Sequence, residues 1–193
     1  MSLRNVLQSI NTYKQTRPMS SDSDAIPADD PQRDSTIAHP DDAGLLHVFI
    51  AGDTYTILLS GEETAGRMCL IDMYIPPGGG PGLHRHDFEE TYIITDGELE
   101  MTFRDETITA TAGETINIPA NAPHMFTNAT DQSARTLCTC VPAGQDEFFR
   151  SVGIPVDSRT TTPDIDEATH KEQLEKAATL APEYDTELLG EPE

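Results

Sequence analysis

Between Leu45 and Val141, apolar and polar residues alternate in short runs broken by turn residues. LHVFIA, TYTILLS, RMCLIDMYI, TYIIT, ELEMTFR, ETITAT, ETINIP, HMFTN and ARTLCTC each carry the two-residue period of a strand with one face buried. Nine or more strands at this spacing, with no helical pattern between them, predict an all-β sandwich or jelly-roll barrel over residues 44–142. Asp96-Gly97 and Arg104-Asp105-Glu106 read as hairpin turns, the first because Asp-Gly suits the positive φ of a type I′ turn.

The flanks have a different texture. Residues 1–43 are rich in Ser, Asp, Pro and Thr, too polar to pack alone, and read as a disordered or partly ordered acidic extension. Within it Leu3, Val6, Leu7 and Ile10 share one face of a possible short helix over Leu3–Tyr13. Residues 143–193 turn helical. GQDEFFRSVG (144–153) places Phe148, Phe149 and Val152 on one apolar face, a candidate lid or dimer element. DEATHKEQLEKAATLA (166–181) has a helical period through Ala168, Leu174, Ala177 and Ala178.

Charge narrows the partners. The 193 residues carry a net charge of −22, from 34 acidic against 12 basic side chains. Such a surface repels nucleic acid and anionic membranes. It also resembles the acidic surfaces suited to saline cytoplasm. No run approaches the roughly 18–20 apolar residues of a membrane span, and the first residues lack a signal-peptide core, so a cytoplasmic protein is expected.

Three cysteines make no disulfide framework. Cys138 and Cys140 are two apart in an alternating run, share one strand face and read as buried core thiols. The histidines are more telling. Three of the six, His84, His86 and His124, fall with Glu90 in two glycine-flanked blocks. His84 and His86 project to one side of an extended strand; Glu90 follows beyond a bend, and His124 comes from a distant strand. Three imidazoles and a carboxylate hold a divalent transition metal and leave positions open. His47 reads instead as a satisfied barrel histidine, Glu89 as a solvated neighbour, and His39 and His170 as surface residues.

These blocks resemble the paired motifs of the cupin superfamily. G(x)5HxH(x)3E(x)6G is matched by Gly78, His84, His86, Glu90 and Gly97, and G(x)5PxG(x)2H(x)3N by Gly113, Pro119, His124 and Asn128, with 15 residues between. Asn121 replaces the glycine of PxG, a substitution that still tolerates positive φ. The flanking sequence over residues 45–153 is similar to small single-domain cupins of the quercetin 2,3-dioxygenase-like group. The resemblance implies a double-stranded β-helix, a metal ion (Fe, Mn, Ni, Cu, Co or Zn) on His84, His86, Glu90 and His124, and a homodimer.

That resemblance implies a dioxygenase for a small flavonol- or enediol-like substrate, with Glu90 as both ligand and base. Tyr92 and Phe126 share strand faces with Glu90 and His124 and read as pocket lining or core; Met101, like Met73 and Phe103, reads as core or pocket wall. The alternatives are a non-catalytic metal-dependent module that binds a small molecule, or an oxygen-independent isomerase or lyase.

Overall fold

The alternating runs become strands in a computed structural model that describes residues 26–190. The described residues fall into two units, 26–34 and 35–190. The first is irregular, with a turn in which the Gln32 amide donates to Asp30 Oδ1 (3.0 Å). The helix expected at Leu3–Tyr13 lies outside the described residues.

The second unit is two antiparallel sheets face to face. Its strands are β1 (His47–Ile50), β2 (Asp53–Leu59), β3 (Cys69–Ile75), β4 (His84–His86), β5 (Glu89–Asp96), β6 (Glu98–Phe103), β7 (Glu106–Thr111), β8 (Thr115–Ile118), β9 (His124–Thr127) and β10 (Ala134–Val141). Helix α1 (Gln145–Val152), β11 (Ile154–Pro155), helix α2 (Glu167–Leu180), a 3-10 turn (Ala181–Tyr184) and β12 (Thr186–Leu188) follow. The larger sheet runs β11-β1-β2-β3-β10-β5-β8 and the smaller β12-β4-β9-β6-β7. Each strand sends alternate residues inward, so Tyr55, Ile71, Met73, Tyr92, Ile94, Leu99, Met101 and Phe126 fill the space between the sheets.

One turn differs from expectation. Arg104-Asp105 does close a hairpin between β6 and β7, with Arg104 at φ 56. Asp96-Gly97 does not, because β5 and β6 belong to different sheets. Both edges of β5 are taken, by β10 and β8, so the chain turns a corner at Gly97 (φ 73) and crosses to the other sheet. A Cβ there would come 2.9 Å from the Ala134 Cα. The Asp-Gly signal marked the backbone twist, while long-range pairing decided its use.

The C-terminal segment is helical and more. Phe148, Phe149 and Val152 are buried, with the Phe149 ring 4.4 Å from that of Tyr55 and Phe148 5.5 Å from Tyr184, so the apolar face of α1 is spent on its own barrel. Helix α2 starts where Asp166 caps it, its carboxylate accepting from the Thr169 amide (2.7 Å). Its buried face is Gln173 and Ala177; Leu174, expected inside, is 44% exposed. Gln173 wins the inner position because it satisfies backbone at the end of β1, donating to Phe49 O (2.7 Å) and accepting from Ala51 N (3.1 Å). The segment then adds one strand to each sheet, β11 beside β1 and β12 beside β4. Among the described residues no helix is long and apolar enough to cross a membrane.

Candidate metal centre

The four expected ligands meet between the sheets. His84 and His86 point inward from β4 and His124 from β9, in the smaller sheet; Glu90 faces them from β5 in the larger one. His84 and His124 are direct cross-strand partners, with ring centroids 4.2 Å apart. The ligand atoms of all four residues lie within 4.8 Å of one another. The four are 7% (His84), 2% (His86), 3% (Glu90) and 0% (His124) exposed, which makes His84 the member nearest solvent.

The second nitrogens fix what the first can do. Nδ1 lies near a carbonyl oxygen in each ring: Gly82 for His84 (2.8 Å), Phe88 for His86 (3.0 Å) and Ala122 for His124 (3.0 Å). A carbonyl only accepts, so each Nδ1 carries the proton and each Nε2 lone pair is left for the cluster. Glu90 Oε2 sits 2.9 Å from His86 Nε2 and 3.1 Å from His124 Nε2. Lone pairs and a carboxylate this close, out of water, repel unless a proton or a cation lies among them. Burial and then the neighbouring His124 push the His84 imidazole down to about 4, so a proton is disfavoured there. Burial opposes the Glu90 charge; protons on the Nε2 atoms of His124 and His86 would outweigh it and hold the carboxyl well below its usual range, and with both Nε2 atoms bare a cation takes that part. Two ligands about 2.1 Å from one ion and at right angles sit roughly 3.0 Å apart, so the donor set fits a divalent transition metal.

The surrounding chain holds these side chains in place. Asn121, in the position of a motif glycine, has φ 67; its amide donates to His86 O (2.7 Å) and its side chain to Asp87 Oδ1 (2.7 Å). Asn128 stitches the two blocks together, exchanging backbone hydrogen bonds with Gly78 and Gly79 (2.8 and 2.9 Å) and donating its side-chain amide to Ile75 O and Gln132 O. Strand β12 braces β4 from outside, pairing Thr186 with His86 and Leu188 with His84, and Glu187 forms an ion pair with Arg85. A polar cleft of about 230 Å³ opens beside this edge, lined by Arg85, His86, Asp87, Asn121 and Glu187 among others.

The other singled-out residues fall where packing sends them. Tyr92, Met101 and Phe126 are at most 1% exposed, with the rings of Tyr92 and Phe126 edge to face at 5.5 Å. Burial and the Glu90 charge push the Tyr92 phenol far up, so it stays neutral beside the carboxylate. His47 is outside the cluster, its Nδ1 2.8 Å from Thr56 Oγ1. Glu89 is exposed and accepts from Asn117 Nδ2 (2.9 Å). Phe88 was not legible as a site residue. Its ring stacks on His86 at 3.7 Å and 2°, and its carbonyl accepts the hydrogen bond of that imidazole's Nδ1; only its place in the bend before Glu90 hinted at it.

One buried acid lies under the glycine run that leads to His84. Asp53 Oδ2 accepts from the Tyr55 hydroxyl (3.2 Å), while Oδ1 sits against Gly79 with no hydrogen-bond partner among the described residues. Burial raises this carboxyl from 3.8 to about 7, partly offset by the Tyr55 hydroxyl. An acid raised in the folded state contributes stability that is present below pH 3.8 and lost as pH rises through 7. Asp53→Asn removes the penalty, so urea denaturation should find it more stable than the parent at pH 8, by up to about 4 kcal/mol at 1.36 kcal/mol per pKa unit. The difference should shrink toward pH 4; a difference independent of pH would show that Asp53 is already charged in the fold.

Comparison with known proteins agrees with the geometry. Residues 71–140 match the cupin domain family, Cupin_2. The chain is 25% identical over 127 residues to quercetin 2,3-dioxygenase of Bacillus subtilis, covering 65% of this chain and 37% of that protein. It is 32% identical over 77 residues to an uncharacterised protein of Methanocaldococcus jannaschii, covering 39% of this chain and 62% of that one. The chain thus spans less than two thirds of either relative. Among solved structures, the polyketide cyclase RemF from Streptomyces resistomycificus aligns with a TM-score of 0.50 at 20% identity, over 76% of this chain and 98% of its own, a likeness of fold.

Proposed function

The chain is a small member of the cupin superfamily, and from that premise we propose a metal-dependent dioxygenase acting on a small flavonol- or enediol-like substrate. The observation that carries this reading is the Glu90 carboxylate 2.9 and 3.1 Å from two imidazole nitrogens whose opposite nitrogens are already committed to backbone carbonyls. His84, His86, Glu90 and His124 would hold the ion, which when bound supplies a Lewis acid and a one-electron partner for dioxygen.

The chain's own residues do the rest. Glu90, ionised as a ligand to the ion would be, takes the proton of the incoming substrate hydroxyl at Oε2, the oxygen facing the imidazoles, and leaves the substrate as its oxyanion. The three Nδ1 hydrogen bonds keep the rings from turning as that charge moves. His84 marks the side of approach, because it is the most exposed of the four. The packed walls of Tyr92, Met101 and Phe126 exclude water and suit a small substrate.

The same close packing favours a second reading, a metal-dependent module that binds a small molecule without turning it over. Protein reconstituted separately with Fe(II), Mn(II), Ni(II) and Cu(II) should consume oxygen with quercetin or an enediol, and Glu90→Gln should lower the rate about a hundredfold or more. Full metal occupancy with no uptake across the panel sinks the dioxygenase. Turnover under argon would then point to an isomerase or lyase, and none to the binding module.

A further inference from the structure

All three cysteines of the chain are buried and free, and they meet behind Glu90. Cys138 and Cys140 project inward from β10. Across one edge Cys140 pairs with Glu90 and Cys138 with Tyr92 on β5; across the other, Cys140 pairs with Cys69 on β3. The Cys138 sulfur lies 3.1 Å from Glu90 Oε1, a short contact for sulfur; Cys140 Sγ is 4.0 Å from the same oxygen and 3.8 Å from Cys138 Sγ. A carboxylate oxygen only accepts, so the Cys138 hydrogen is committed to Oε1. Its sulfur is then free to accept from Cys140, which in turn accepts from Cys69.

We infer that Cys138 is a positioning residue for Glu90: its S–H holds Oε1 turned away from the imidazoles, so that Oε2 alone faces His86 and His124, and Cys140 and Cys69 complete a file of donors behind it. The two oxygens have separate partners, thiol on one side and imidazoles on the other. A hydrogen bond to a charged acceptor out of water is stronger than its exposed counterpart, and a chain of donors strengthens its last member. Three cysteines filling a core would need no such contact with a carboxylate. The Tyr92 phenol, on the same strand as Glu90, is a second donor to the carboxylate, and it is unchanged in the test below.

The inference rests on the metal-centre reading and not on the dioxygenase. Co(II) is titrated into the full chain by competition, and its visible spectrum is recorded for the parent, Cys138→Ala, Cys138→Ser and Cys140→Ala. Cys138→Ala should weaken Co(II) binding about tenfold or more, as loss of a partner to a ligand does, and alter the spectrum. Cys138→Ser, which restores a donor, should recover most of the affinity, and Cys140→Ala should lose less than Cys138→Ala. If Cys138→Ala melts before binding is measured, Cys138→Val fills the volume without a donor and takes its place. Unchanged affinity and spectrum in the donorless variant, or equal losses for Ser and Ala, would make Cys138 a core filler and overturn the inference. A parent chain that binds no Co(II) removes the metal centre and the inference together. Normal Co(II) behaviour without oxygen uptake touches only the dioxygenase.

Discussion

His124→Ala is expected to abolish stoichiometric metal binding and leave a folded barrel. His124 is fully buried, pairs directly with His84 and brings Nε2 within 3.1 Å of Glu90 Oε2. Its loss removes a ligand itself, so affinity should fall by more than the 10–100-fold typical of a partner one shell out. The barrel survives because the strand pairings of β9 with β4 and β6 use backbone that alanine keeps. Elemental analysis after dialysis should read near one metal per chain for the parent and close to none for the variant, with matching circular dichroism. The metal-dependent rise in thermal midpoint, worth about 4 kcal/mol at a thousandfold excess over Kd, should vanish with it. Stoichiometric metal retained in the variant would remove His124 from the ligand set.

Gly80→Ala should be strongly destabilising. Gly80 has φ 129, which side chains rarely adopt, and a Cβ there would lie 2.1 Å from the Phe126 carbonyl oxygen and 2.9 Å from its carbon. Both obstacles are backbone, in the strand that carries His124, so no rotamer change relieves them. Forced φ and overpacking together are expected to cost about 3 kcal/mol or more. Gly82→Ala serves as the control, since a Cβ at Gly82 meets nothing within 4 Å. Urea unfolding should separate the two variants clearly; equal midpoints would mean that the glycine run yields without disturbing β9.

The residues by themselves determined the local states. Alternation marked the strands of the barrel, because a two-residue period is a property of the extended backbone and needs no knowledge of the partner. The clustering of His84 and His86 was legible because HxH on a strand sends both rings to one side. Asn121 was legible because positive φ is a local demand, met here at φ 67.

Tertiary structure decided whatever depended on a partner far along the chain. Asp96-Gly97 became a corner because both edges of β5 were occupied. Gln173 displaced Leu174 from the buried face because distant backbone groups of β1 lay within its reach. Strands β11 and β12, two and three residues long, are too short to show a period and exist through the sheets they join. The cysteines read correctly as buried, but their neighbour did not: the register of β10 on β5 brings Cys138 to Glu90 across 48 residues of chain. Local patterning reports the conformation of a segment. Which segments meet is set by the burial and hydrogen bonding of all of them at once.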